Sequence, residues 1–523
     1  MFNRVASATI NGLEPEIVNV EVDVNTGLPG FDMCGFLSSE VKESRERVRI
    51  AVKNIGIRLG PQKITVNMSP ADIRKSGTGF DLPIAIGVLA SNQYISSESL
   101  KDTFLIGELS LNGNVNYVKG VLPAICKAKE EGFKRCIVPS ANEFEGAVID
   151  EIDVIGVNTL AEAMDFLNEK VALRPVQHKN FDEICAGKQI EQKNDFSEIK
   201  GQAAAKRATL IAAAGMHNIM YIGAPGSGKT MMAKRIPTIL PDLTFEESLE
   251  ISKIYSVAGL LDAKNILLTQ RPFRSPHHTV TSAALIGGGK VPVPGEITLA
   301  DRGVLFLDEL TEFYSNTMES LRQPLEDKKV TIVRLNAAYT YPSEFMLVAA
   351  INPCKCGYYP DRNICNCSEY DINRYLGKIS QPFWDRFDLC VETSKMQFRD
   401  LAQVTDTVRS YQGRSICETS GQMKEKVQKA IAFQKDRYKN KKITFNSELS
   451  MIQIKKYCEL GRQESAFMEK AFDKMNLTAR GYHKILKTAR TIADLEQEEK
   501  IQVSHLAEAV SYRSYDTTVH AMR

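Results

Sequence analysis

The chain has 523 residues, which at roughly 150 residues per domain suggests about three domains, each large enough to bury its own core. Sixty-six Lys and Arg against 64 Asp and Glu leave a net charge of +2, with 43% hydrophobic and 25% charged residues; this excludes a disordered chain and a globally basic nucleic-acid binder, but not a local basic patch. No apolar run nears the roughly 18 residues that cross a bilayer, the opening residues hold no signal-peptide core, and 11 cysteines without an export signal read as thiols or metal ligands, so a cytoplasmic protein without membrane contact is expected.

In chain order, residues 1–172 alternate strand-like and helical runs, as an α+β or α/β domain does. Strands are expected at 16–24, 63–70, 136–140 and 152–157. A buried helix is expected at 81–92, with further helices near 118–131 and 160–170. Residues 173–195 are polar and weakly patterned and read as a linker. A helix at 201–216 leads into a strand at 218–223, and strands and helices alternate to about residue 400. Helical periodicity then takes over, with helices expected at 399–411, 422–440, 447–459, 463–475, 478–496 and 503–510. The expected fold class is therefore α/β and multi-domain: 1–172, a linker over 173–195, a nucleotide-binding domain over 196–400 and a helical domain over 401–523.

The strongest motif is Gly223-Ala224-Pro225-Gly226-Ser227-Gly228-Lys229-Thr230, a complete G-x-x-x-x-G-K-[ST] between an apolar strand and a helix. Its glycines let backbone N–H groups turn toward phosphate oxygens, and the helix N-terminus adds its positive dipole end. Lys229 is placed to reach the β- and γ-phosphates of ATP and Thr230 to ligate Mg²⁺. The matching acidic half is the apolar strand Val304–Leu307 followed by Asp308 and Glu309. Asp308 is expected to hold Mg²⁺ and Glu309 to orient the attacking water. The alternative for this acidic pair is a helix N-terminal cap.

Longer runs carry a family resemblance. RPFRSPHHTV (271–280), ALIGGG (284–289), PGEITLADRG (294–303) and FLDEL (306–310), with NGLEP (11–15), GLPG (27–30) and GFDLPIA (79–85) near the start, resemble the magnesium-chelatase-like AAA+ ATPases of the ComM/YifB family along essentially the whole chain. The resemblance implies an ATPase with three more site residues. Asn352, after the strand ending at Ile351, matches the sensor-1 polar residue. Arg386, in WDRFD, matches an arginine finger offered to a neighbouring subunit, a task suited to a bidentate guanidinium. Arg480, in LTARG, matches sensor 2. An ion pair is the alternative for each arginine. A finger in trans implies a ring, a homo-hexamer by resemblance. A hairpin near 328–334 would face the ring channel, where Lys328, Lys329 and Arg334 suit DNA phosphates or a solvated edge. His277 and His278 read as metal ligands, contacts or loop packing.

Cys354, Cys356, Cys365 and Cys367 form C-x-C-x₈-C-x-C just after Asn352. Four thiolates through one loop suit a structural Zn²⁺, with no open position for catalysis; an iron–sulfur centre or free thiols are the alternatives. Residues 1–172 resemble the proteolytic domain of Lon-type proteases, yet Asp81 stands where the nucleophilic Ser belongs and Leu122, near Lys119, where the Lys does. An Asp cannot do the serine's chemistry, so a proteolytically inactive scaffold or partner module is expected. Arg45, Arg47, Arg49, Arg74 and Lys75 suit nucleic acid or a solvated helix face, and so does the lysine-rich stretch 424–442. The leading functional expectation is an ATP-driven ring motor on branched or single-stranded DNA, a branch-migration helicase in recombination or natural transformation. A chelatase-type motor and a protein remodeller or protease are the alternatives. No tetrapyrrole is expected, because chelatase motors lack the Lon-like domain.

Overall fold

In a computed structural model, the structure describes residues 2–186, 194–262, 266–289, 292–334, 337–394, 418–439 and 443–513. The helix expected at 399–411 lies outside them, as do residues 440–442 of the lysine-rich stretch.

The N-terminal unit is built on two long strands, Phe2–Asn11 and Glu14–Thr26, paired antiparallel from Phe2 opposite Asp23 to Asn11 opposite Glu14. Alternation in the second strand sends Val18, Val20 and Val22 inward with no exposure. Among the described residues the sheet has seven strands, ordered Gly30–Cys34, Gln62–Ser69, Glu14–Thr26, Phe2–Asn11, Thr103–Leu105, Arg135–Pro139 and Asp153–Val157. The helix Asp81–Ser91, apolar on all sides, is buried throughout its length, as a helix apolar all round must be.

Several side chains sit where the sequence does not suggest. Arg45 and Arg49 are exposed on the helix Ser39–Asn54, but Arg47 turns inward and holds the buried Asp81 at 2.6 and 3.0 Å. Lys75 is neither a DNA contact nor part of a solvated face. It is fully buried, and its ammonium donates to the carbonyls of Pro70 and Ile73. The stretch read as a linker is fastened down where it is described. Val176 and Lys179 donate N–H groups to Val154 and Ala147, and a short helix, Phe181–Ala186, buries Ile184.

Among the described residues the second unit centres on a five-stranded, all-parallel sheet ordered Phe273–Arg274, Val304–Leu307, Met346–Ile351, Ile219–Gly223 and Leu389–Thr393. The three middle strands are wholly buried, as parallel strands covered on both faces must be. The C-terminal helices Ser420–Arg437, Met451–Tyr457, Arg462–Lys474, Ala479–Leu495 and Val503–Ser511 share a core with the helix Ala203–Gly215, where Val427, Ile485 and Ala489 meet Ala208 and Ile211. Four of the five described lysines of the lysine-rich stretch are paired with acids, Lys424 with Asp242, Lys426 with Glu418, Lys429 with Glu425 and Lys439 with Asp436. No described helix is long and apolar enough to cross a membrane.

The N-terminal unit docks on the helix Phe245–Ala258, which opens on a Thr244–Glu247 capping box. Phe181 meets Phe245 edge-on at 5.8 Å. At the centre of the contact the buried Glu145 accepts from Ser256 Oγ (2.5 Å), Leu122 N–H (2.9 Å) and Asn142 Nδ2 (2.6 Å). Burial pushes the Glu145 carboxyl up, and these three donors only partly offset it. A raised folded value means the carboxylate's cost grows as pH rises through that value and is absent below the unfolded one. Ser256→Ala is therefore expected to destabilise the protein by about 1–3 kcal/mol at about pH 8 and by less at about pH 4.5. Urea unfolding at the two pH values checks this.

Candidate active site

The buried strand Ile219–Gly223 ends in a loop whose Gly226 and Gly228 take φ 74° and 89°, a left-handed region costly to residues with a side chain. The helix Lys229–Ile239 follows at once. Lys229 is 8% exposed, and its Nζ donates to the carbonyls of Gly223 (2.6 Å) and Ala224 (2.9 Å) and to Asn352 Oδ1 (3.1 Å). Burial lowers its pKa, and the nearby Asp308 and Glu309 partly offset that. Thr230 Oγ1 donates to Asp308 Oδ2 at 2.7 Å, so a hydroxyl and a carboxylate adjoin as a hard divalent cation requires. Glu309 sits at φ 52° with its N–H on Asp308 Oδ1 at 3.0 Å and its carboxylate 59% exposed. The strand ends thus bring Lys229, Thr230, Asp308, Glu309 and Asn352 to one place, in an arrangement able to bind phosphates, hold Mg²⁺ and aim a water at a γ-phosphate.

Two neighbours of this cluster were not singled out for it in the sequence. His278, its ring tilted 34° against that of His277 at 4.1 Å between centroids, has its Nδ1 3.9 Å from Glu309 Oε2. Gln202, at φ 58°, locks the phosphate loop to the end of the strand Leu389–Thr393: its Nε2 donates to Ser227 O (3.1 Å) and Ser394 O (2.6 Å), and its Oε1 accepts from Ser394 N–H (3.1 Å). Gln202 and Ser394 are 192 residues apart, a pairing no local pattern shows.

The two arginines lie elsewhere. Arg386 precedes the strand Leu389–Thr393, at the amino-terminal edge of the sheet, where Asn218 Nδ2 holds its carbonyl at 2.9 Å. The phosphate loop lies at the carboxyl-terminal edge, about 16 Å away along a five-residue strand. Arg480, from the helix Ala479–Leu495, joins Arg386 there: both donate to Glu326 Oε1, at 2.6 and 2.7 Å. They line a cavity of about 420 Å³ with Arg302, Lys328, Glu344 and Lys487. Lys328 is the residue before the hairpin strand Lys329–Arg334, and it is paired with Glu344 and Glu448.

The four cysteines converge. Their sulfurs all lie within 4.8 Å of one another, with Cys354 and Cys365 buried. Three of the sulfur pairs lie 3.2, 3.5 and 3.7 Å apart, close to the ~3.8 Å edge of a tetrahedron with ~2.3 Å metal–sulfur bonds. Burial pushes the Cys354 thiol up, but N–H groups of Tyr359 and Gly357 and the adjoining thiols outweigh it and bring it to about 7. Gly357, at φ 85°, faces the phosphate loop so closely that a Cβ would stand 2.5 Å from Pro225 Cδ.

Comparison with known proteins agrees with this geometry. Families described as magnesium chelatase, subunit ChlI; subunit ChlI of Mg-chelatase; and magnesium chelatase, subunit ChlI C-terminal match residues 195–401, 20–142 and 417–513. The competence protein ComM of Haemophilus influenzae is 40% identical over 511 residues, 98% of this chain and 97% of the relative. The chain belongs to the ComM/YifB family of magnesium-chelatase-like AAA+ ATPases. YifB of Escherichia coli is 39% identical over 508 residues, 97% of this chain and 96% of the relative. Lon protease 2 of Bacillus subtilis is 29% identical over 143 residues, 27% of this chain and 25% of that protease. The family is one of chelatase-type AAA+ modules that use ATP and Mg²⁺, here behind a Lon-like N-terminal region and ahead of a helical domain.

The contact between Gly357 and Pro225 generates a test. Gly357→Ala adds a Cβ at a positive φ against the phosphate loop, a strain of about 1–3 kcal/mol. The expected result is a KM for ATP raised about tenfold or more, with the four cysteines untouched, read by steady-state ATPase assay.

Proposed function

We propose that this protein is a cytoplasmic, ATP-hydrolysing homo-hexameric ring motor acting on branched or single-stranded DNA, a branch-migration helicase in recombination or natural transformation. The observation that carries the ring is the separation of Arg386 and Arg480 from their own chain's phosphate loop by the length of a sheet strand. Neither guanidinium can reach the phosphates bound by its own Lys229, so a neighbouring copy supplies them, as closed rings of heterologous contacts allow. In that site Lys229 and the loop N–H groups bind the phosphates, and Thr230 and Asp308 hold Mg²⁺, which neutralises developing charge. Glu309 orients the water, Asn352 positions the γ-phosphate through the amide that now meets Lys229, and the neighbour's Arg386 and Arg480 stabilise the transition state.

The DNA reading rests on the hairpin Lys329–Arg334/Ala337–Pro342, whose Lys329 and Arg334 are exposed. Arg334 Nε donates to Gly289 O at 3.2 Å, which joins this hairpin to the short ribbon of Gly287–Gly288 and Val293–Pro294. The hairpin buries Val330, Ile332 and Tyr341 and leaves Lys329 and Arg334 outward, a face suited to phosphate contact. The competence name of the Haemophilus influenzae relative supports the same reading. Within the N-terminal unit the ion-paired Asp81 and the buried Leu122 leave no Ser–Lys dyad, so a scaffold is the reading that fits. The four cysteines, with two sulfurs buried and N–H donors at Cys354, fit a structural Zn²⁺.

The testing experiment is ATP turnover with and without forked and four-way-junction DNA. Strong stimulation by branched DNA, abolished in Glu309→Gln and reduced about 10³-fold or more in Arg386→Ala, is the expected outcome. A mutant-sensitive rate indifferent to every DNA would keep the ATPase and reject the substrate in favour of protein or tetrapyrrole partners. Elemental analysis of protein purified without chelators is expected to find about one zinc per chain, lost in Cys356→Ser. Iron, or no metal, would reject the zinc assignment.

A further inference from the structure

Arg386 is 8% exposed, and its one ion-pair partner among the described residues is Glu326, at 2.7 Å; its Nε has no hydrogen-bond partner there. Arg480 donates to the same oxygen at 2.6 Å. Two guanidiniums on one carboxylate oxygen crowd like charge, and burial together with the adjacent Arg480 pushes the Arg386 guanidinium down. The arrangement persists because Glu326 is the acceptor that both can reach. A γ-phosphate carries more charge and more acceptor oxygens than one carboxylate, so it would compete for both arginines at once.

Glu326 also has a definite place in the chain. It sits in the last turn of the short helix Arg322–Asp327, and two residues later Lys328, at φ 54°, turns the chain into the hairpin strand Lys329–Arg334. The hairpin's return strand, Ala337–Pro342, leads to Glu344, which pairs with Lys328; Lys328 also pairs with Glu448 of the helical domain. The base of the hairpin is thus held to the helical domain at two points, Glu326–Arg480 and Lys328–Glu448. Behind Arg386 the loop is fixed by Lys484 Nζ and Arg513 Nη1, which both donate to Phe387 O at 3.0 Å. With its backing fixed, the freedom left in this contact lies in the arginine side chains and in Glu326.

We infer that Glu326 is the resting acceptor of the two catalytic arginines, a carboxylate that the neighbour's γ-phosphate must displace. Its release frees the base of the hairpin. This rests on the ring reading, in which Arg386 and Arg480 act on the neighbour's nucleotide. On that basis Glu326 is a positioning residue: it restrains the arginines in the absence of the right track and links their engagement to the hairpin that grips it. The coupling is of the two-state kind in which one group has two alternative partners.

The test uses the full-length protein and compares Glu326→Gln, Glu326→Asp and Arg386→Ala with wild type, with and without a four-way junction. Gln keeps the size of the side chain and removes its charge; the position is half exposed, so unchanged thermal unfolding is expected. In Glu326→Gln, turnover without DNA is expected to rise about fivefold or more, a typical coupling ratio, while the KM for ATP is unchanged and stimulation by DNA shrinks by the same factor. Glu326→Asp, with its charge kept but its reach shortened, is expected to fall between. A merely structural role would lower turnover in both conditions and leave the ratio alone. Unchanged or reduced turnover without DNA in Glu326→Gln overturns the inference, provided Arg386→Ala is inactive. Wild-type turnover in Arg386→Ala sinks the ring reading itself, whatever the Glu326 variants do.

Discussion

All five strands of the nucleotide-binding sheet run in the same direction, and the placement of every functional group follows from that polarity. Backbone N–H groups and acidic side chains that meet phosphate gather at the carboxyl ends, where Gly223, Leu307, Ile351 and Thr393 finish. Groups that precede the strands, Asn218, Arg302, Phe345 and Arg386, lie at the other edge. In a chain built this way Arg386 stands at the edge of the sheet opposite its own phosphate loop. The parallel sheet is kept because its strands are buried on both faces, and in the proposed ring the missing charge comes from another copy.

The helical domain extends this constraint. The helix Ala479–Leu495 carries Arg480 and Lys484 one turn apart and Arg490 on a different face. Lys484 reaches Asp388 at 3.0 Å, and Arg490 anchors to the buried Asp494 at 3.0 Å. Asp388 is held well below the usual carboxylate range: burial alone would raise it, but Lys484 and His217 outweigh that. One helix therefore presents Arg480, stiffens the loop that bears Arg386 and seats itself in its own domain. The cysteine loop does similar work at the opposite edge, tying the end of the Asn352 strand to Pro225 of the phosphate loop.

Sequence alone exposes those features whose physics is local. The phosphate loop is legible because its glycines and its lysine are consecutive, the acid pair because it ends an apolar strand, and the cysteines because four fall within 14 positions. Most core strands and helices follow from periodicity. The strand Phe2–Asn11 escapes it because Arg4, Ala6, Ser7 and Ala8 blur the alternation, although it pairs along its whole length. Charge is where local reading fails. Lys75 and Arg47 look like surface cations, yet one is buried against carbonyls and the other is committed to Asp81, pairings 34 residues apart for the second. Gln202 and Glu326 carry no signature because each meets its partners only through the fold, and the pattern around His278 does not single out Glu309 as its neighbour. The family resemblance supplies the identities of Arg386 and Arg480, but not their common seat on Glu326.

The central claim is that each hydrolytic site is shared between two copies of the chain. Mixing inactive subunits tests it most directly. Glu309→Gln supplies intact arginines and Arg386→Ala supplies an intact Glu309, so random co-assembly would make about a quarter of the sites whole. Recovery of ATP turnover to that order on mixing, with each variant inactive alone, is the predicted result. No recovery in demonstrably mixed assemblies, or full activity of Arg386→Ala by itself, would contradict the shared site.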